Sequence, residues 1–312
     1  MYACSPQWKA DWLSVEDAKK ILIKLAKKIK PAPNGPESVG INHGLHFTGG
    51  EPFLNFELLI KLVEMAAELR IPSTFVETNG FWCKDDRTTR YRLLRLKNAG
   101  LKGLLVSVNP FIIEEVPFER TERAVRIGNE LFGKALIVYQ EFFFNLFRRL
   151  RIKGVLSFQE FLKRQGESLN YVELIPMGRA VHELGYLFRK YPAEEFFGES
   201  CREELGRPWH VHIDNYGNYM TGYCGGISLG DAQSLEFGCQ EIKLDEYPII
   251  EAVASDIQDF YTLGKEKFGY EDKEDGYISK CHLCLDLRRH IVQQTDSFKE
   301  LRPREFYFHF DK

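Results

Sequence analysis

The segment Thr48-Gly49-Gly50-Glu51-Pro52 constrains this chain most, because of what flanks it. Gly44 to Thr48 reads as a short buried strand. Phe53 to Arg70 reads as a helix with Leu58, Leu59, Leu62, Val63 and Ala66 on one face. The unit then repeats. Ser73 to Glu77 is a strand ending in Thr78-Asn79-Gly80, and Arg87 to Asn98 is a helix closed by Gly100. Leu104 to Val108 is a third strand, Pro117 to Leu131 a helix, and Ala135 to Tyr139 a fourth strand. Helices over Phe142–Arg151 and Phe158–Arg164 lead to a strand over Tyr171–Ile175 and the turn Pro176-Met177-Gly178-Arg179. Upstream, Ser14 caps a helix that runs to about Lys30 and is broken by the Pro31–Pro36 stretch. Strands alternating with helices imply βα units and a parallel sheet, with a full or partial (β/α) barrel favoured over an open sheet. After Phe197 the alternation stops and cysteines, glycines and histidines become dense, which places a boundary near there. Val211 to Tyr219 reads as a hairpin turning at Asn215–Gly217.

A formal net charge of −3 offers no electrostatic case for nucleic acid. The lysines between Lys19 and Lys30 alternate with Ile, Leu and Ala, as on the solvated face of an amphipathic helix. No apolar run approaches the ~20 residues that span a bilayer, and the first residues lack the charged start and apolar core of a signal peptide. The expected setting is the cytoplasm, with no membrane partner. There, seven cysteines point to metal or cluster binding rather than disulfides.

In parallel barrels the active site lies at the C-terminal ends of the strands. Four polar turns fall there: Thr48–Pro52, Thr78–Gly80, Ser107–Pro110 and Pro176–Arg179. Adjacent glycines let a ligand approach the backbone, and the following helix start exposes amide donors. With Glu51 as an acceptor for an ammonium group, the turn suits a zwitterionic amino-acid moiety. The plainer reading is a βα turn with no ligand.

Thr48-Gly49-Gly50-Glu51-Pro52 resembles the GGEP motif of radical S-adenosylmethionine (radical SAM) enzymes, and Thr78-Asn79-Gly80 the TNG that commonly follows it. The resemblance implies that Gly49, Gly50, Glu51, Pro52 and Asn79 hold S-adenosylmethionine. It also implies that Ser107 and Asn109 lie near its ribose, and that Arg179, in Pro-Met-Gly-Arg-Ala at 176–180, belongs to a later strand end. It further implies reductive cleavage of the cofactor at a 4Fe-4S cluster. A 5′-deoxyadenosyl radical then abstracts hydrogen from a small-molecule or peptide substrate, and a ferredoxin or flavodoxin supplies electrons. One departure is plain: the family's C-x3-C-x2-C loop occurs nowhere in the sequence. The expectation is a partial TIM-like barrel over residues 1–197 whose first strand and ligand loop are missing. Cys4 as the loop's third cysteine and a lineage that has lost the cluster are the alternatives.

The second constellation is Cys201, Cys224, Cys281 and Cys284, the last two forming a C-x2-C. With the intervening glycine-turn hairpin, it resembles the auxiliary-cluster domains called SPASM and twitch, in looser spacing, over residues 198–312. This part is expected to be small, irregular and cysteine-rich. Four thiolates saturate one 4Fe-4S cluster or form a closed zinc site, or remain unligated. Cys239 is an alternative to Cys201, and Cys83 reads as an ordinary cysteine. His210 and His212 share one side of a strand, and Glu173 accompanies Arg179, each with a structural role as the plainer reading. Asp286, Arg288, Arg289 and His290 follow the C-x2-C and are expected to support it from behind. A non-catalytic metal-binding scaffold with a degenerate barrel is the competing function.

Overall fold

The computed structural model describes residues 7–9, 11–171, 178, 180–207, 209–222, 224–234 and 246–309. The chain divides into two compact units, Ala18–Leu174 and Met1–Asp17 with Ile175–Lys312. The change of texture near Phe197 thus falls inside the second.

The chain enters through α1 (Val15–Leu25). Ser14 precedes it, and its hydroxyl oxygen accepts from the Asp17 amide at 3.0 Å. The helix stops at Leu25, short of the expected Lys30, and turns carry the chain onward.

The first unit is built from βα repeats. β1 (His46–Phe47) leads through a 3-10 turn (Pro52–Asn55) into α2 (Phe56–Glu68). β2 (Phe75–Thr78), α3 (Asp86–Asn98), β3 (Gly103–Ser107), α4 (Phe118–Phe132) and β4 (Leu136–Tyr139) follow. α5 (Glu141–Arg149) and α6 (Phe158–Gln165) complete it. α2 and α3 start where side-chain acceptors take orphan amides. Asn55 Oδ1 accepts from Leu58 N at 3.3 Å, and Asp85 Oδ1 from Thr88 N at 2.7 Å.

The four strands run parallel in the order β1-β2-β3-β4. The register sets His46 against Phe75, Phe75 against Gly103 and Leu104 against Leu136. Every residue of β3 is buried, as a central parallel strand covered on both faces requires. Because neighbours are parallel, their polar C-terminal ends emerge along one edge. Of the strand expected over 171–175, only Tyr171 is described, and it closes a 3-10 turn (Gly166–Tyr171); the rest lies outside the described residues.

The second unit carries more helix than its sequence texture suggests. After α7 (Ala180–Glu183) and α8 (Arg202–Leu205), β5 (Val211–Ile213) and β6 (Tyr219–Thr221) pair antiparallel. Their turn is held by Asp214, whose Oδ1 accepts from the amides of Tyr216 and Asn218 at 2.9 and 2.8 Å. Then come α9 (Pro248–Ser255), α10 (Ile257–Phe268), α11 (Lys280–Gln294) and α12 (Glu305–Phe308). Their shared core includes Ile249, Phe260, Tyr277, Leu283, Leu287 and Ile291, all buried. Each such side chain contributes about 1.5–3 kcal/mol. Gly264 brings α10 onto α11: a Cβ there would lie 2.6 Å from Leu287 Cδ2. The same glycine interrupts the apolar stripe that reveals a helix in sequence. In α11 the inward residues include His282 and Arg288, which hide the stripe in the same way.

No helix among the described residues is long and apolar enough to cross a membrane.

Candidate functional site

Three strand ends meet in a polar network at the C-terminal edge of the sheet. Glu77, on β2, accepts from Thr48 Oγ1 beyond β1 and from Ser107 Oγ on β3, each at 2.9 Å. Glu51 accepts from Thr78 Oγ1 at 2.9 Å, from Asn79 N at 2.8 Å and from Phe53 N at 3.2 Å. Its carboxylate is thus turned into the protein, where it ties the β1 turn to the end of β2, and the residue is buried. Burial is the main cause that pushes its pKa from the ordinary 4.5 up to about 7. The three donors oppose this, and the charge of Glu77 adds to it.

Gly49 and Gly50 are exposed at this edge, whereas Pro52 is buried beneath it. Gly49 has φ +118°, which only glycine adopts readily. Gly50 has no such backbone demand, and a Cβ there would meet nothing within 4 Å. Its missing side chain therefore leaves space rather than relieving a clash. Asn79 Oδ1 accepts from Phe81 N at 2.9 Å, and Asn109 Oδ1 from the amides of Phe111 and Ile112 at 3.1 and 3.0 Å. Both amides shape their own turns. Arg179, Met177 and Glu173 lie outside the described residues.

Glu77 is the strand-end residue that the sequence reading passes over. It is a half-buried acid following buried Phe75 and Val76 and just ahead of the polar turn. An acid inside an apolar parallel strand was the available signal, since burying a carboxylate demands partners.

The second site lies in the other unit. Ser279 caps α11, its Oγ accepting from His282 N at 3.1 Å. The cap starts the helix so that Cys281 and Cys284 share one face of its first turn. Cys201 precedes α8, and Cys224 follows the hairpin. All four thiols line one cavity of about 30 Å³ with Gly178, Leu205, Ile227, Val253 and Arg288. Burial pushes the thiol of Cys224 up to about 11 and that of Cys281 up to about 12, and raises Cys201 as well, with neighbouring thiols adding to each.

None of the five described cysteines is bridged in a disulfide. Among the described residues no three His, Cys, Asp or Glu side chains converge as ligands of a single ion would. The four cysteines instead line one small cavity in common. His282, between the two helix cysteines, is a core histidine: Ile278 N donates to its Nδ1 at 3.3 Å. Burial, with His182 alongside, holds its pKa down at about 4. Cys4 and Cys239 lie outside the described residues. Cys83 is fully buried in the first unit, with burial pushing its thiol up to about 12. His210 and His212 stack edge to face at 5.0 Å beside Trp209.

A larger cavity of about 760 Å³ flanks β4 between α4 and α5. It contains no cysteine and none of the strand-end residues above, and size alone does not make it the site.

Residues 9–109 match the family model of a 4Fe-4S single cluster domain. No curated protein matches the chain. The match supports an iron–sulfur protein. The matched segment covers β1 to β3 and contains one cysteine, buried Cys83, so it does not itself provide the thiolates of a cluster.

Proposed function

We propose that this chain is an enzyme of the radical SAM type, an oxidoreductase with a partial (β/α) barrel. Its open strand-end turn holds the methionine end of S-adenosylmethionine, and Cys201, Cys224, Cys281 and Cys284 hold one auxiliary 4Fe-4S cluster in a SPASM/twitch-like domain. The observation that carries the proposal is the convergence of four thiols, from three separate segments, on one cavity. When bound, the cluster would supply one-electron transfer. The protein's part is positioning. Ser279 sets two thiols on one helical turn, and Glu51 and Glu77 lock three strand ends so that Gly49 and Gly50 stay open. Asn79, Ser107 and Asn109 border the same edge, with Arg179 assigned there by resemblance alone. Since the sequence holds no C-x3-C-x2-C, cleavage of the cofactor asks for iron ligands beyond the four named here. The substrate class is a small molecule or a peptide, with a ferredoxin or flavodoxin as donor.

Anaerobic reconstitution tests the cluster. About four irons per chain, with matching sulfide, is the expected content for one four-thiolate site. Stoichiometric zinc with iron near zero overturns the cluster and favours the metal-binding scaffold.

A second measurement tests the cofactor turn. Gly50→Val is expected to leave the melting temperature unchanged, since the position is open and its backbone ordinary. It should weaken S-adenosylmethionine binding in calorimetry by about tenfold or more, which is about 1.4 kcal/mol. Unchanged affinity would remove the ligand from this turn.

A further inference from the structure

Arg288 stands out among the residues around the four-cysteine cavity. It is 5% exposed, on the core side of α11, and lines the cavity with the thiols. Its guanidinium donates to Cys284 O at 3.3 Å, to Gly225 O at 2.8 Å and to Tyr307 Oη at 2.9 Å. Two carbonyls and a phenol are neutral acceptors. Among the described residues no carboxylate pairs with it. Lys280, another cation nearby, differs: its Nζ donates to Ser200 O at 2.7 Å and has Glu199 and Glu204 at 3.7 and 3.8 Å. An arginine stays charged at any working pH. Burying such a charge without a counter-charge is strongly unfavourable. These hydrogen bonds engage Nε and Nη1 but bring no negative charge to the guanidinium.

We propose that Arg288 is the built-in counter-charge of an anionic iron–sulfur cluster in the Cys201–Cys224–Cys281–Cys284 cavity, and that it holds the cluster's reduction potential up. The inference rests on the cluster reading of that cavity. A cube held by four thiolates is a net anion, and one-electron reduction adds a further negative charge. A fixed cation at the cavity wall stabilises the reduced form more than the oxidised one. Net charge and hydrogen bonding around a cluster are the levers by which a protein sets its potential. The same guanidinium also steadies the loop that carries Cys224: it holds Gly225 O, while Tyr307, which it contacts, donates to Gly226 O. A purely structural strut would use those contacts as well, so the test must separate the two roles.

Arg288→Met and Arg288→Lys are compared with the whole wild-type chain. Iron and sulfide content, the midpoint potential by redox titration followed by electron paramagnetic resonance, and melting with and without the cluster are measured. R288M is expected to shift the midpoint to a more negative potential, with R288K close to wild type. Without the cluster, R288M should melt at or above the wild-type temperature, because an uncompensated charge has been removed. With the cluster it should melt below wild type. An unchanged midpoint in R288M overturns the proposal. So does an equal loss of stability with and without the cluster, or failure of R288M to fold before loading, since each makes Arg288 a strut. Wild-type protein that takes up no iron under the same conditions refutes the cluster reading itself, a separate and distinguishable result.

Discussion

The double replacement Cys281→Ala/Cys284→Ala is expected to reduce reconstituted iron from about four to fewer than one per chain, because both thiolates of the first turn of α11 disappear together. One thiolate alone is a weaker test, since a cluster can persist on three. Cys83→Ala is the matched control. That thiol is buried in the other unit, so iron content should be unchanged while stability falls by about 1 kcal/mol from the small cavity created. Iron analysis with the visible absorption of the reconstituted proteins reads both variants. If the double variant retains full iron, the cluster is held elsewhere, and the four-thiol cavity is only a packed interior.

Glu51 offers the second large effect, and it depends on pH. Burial raises its pKa from 4.5 to about 7, so between those values the folded chain holds a proton that the unfolded chain has released. Stability must then fall as pH rises through that window, by at most about 1.4 kcal/mol per pH unit and about 3 kcal/mol in all. Glu51→Gln has no proton to lose. The difference in urea-unfolding free energy between wild type and E51Q, measured from pH 4.5 to 8, is expected to change with that slope and level off above 7. A difference that is flat, or that grows in favour of the wild type with rising pH, would mean that the three donors outweigh burial. Glu51→Ala should cost about 3 kcal/mol at low pH, because the amides of Phe53 and Asn79 and the Thr78 hydroxyl lose their acceptor.

These two sites differ in how far sequence could take them. The βα repeats were legible because hydrophobic period and breaker residues act locally. Gly49-Gly50 after a strand announces a turn wherever the rest of the chain goes. The boundaries moved where tertiary contacts intervene: β1 is His46–Phe47 alone, and α2 is preceded by a 3-10 turn. In the second unit, Gly264, His282 and Arg288 occupy inward positions of α10 and α11, so the apolar stripe is broken although the helices are buried. Their inward placement has to be seen in the packing, because polarity pattern alone argues against it.

By itself the sequence determined the parallel βα character of the first unit, the glycine turn after its first strand and a short set of candidate thiols, with Cys239 an alternative to Cys201. Each follows from residue type and short spacing. Only the tertiary structure decided that Glu51 turns inward while Glu77 joins the neighbouring strand ends, that Cys201 and Cys224 reach the Cys281–Cys284 turn, and that a buried arginine faces them. The physical reason is the same in each case. Which buried polar groups become partners is settled by the packing of segments far apart in the chain, and the cost of leaving a charge or a donor unmatched selects among those packings.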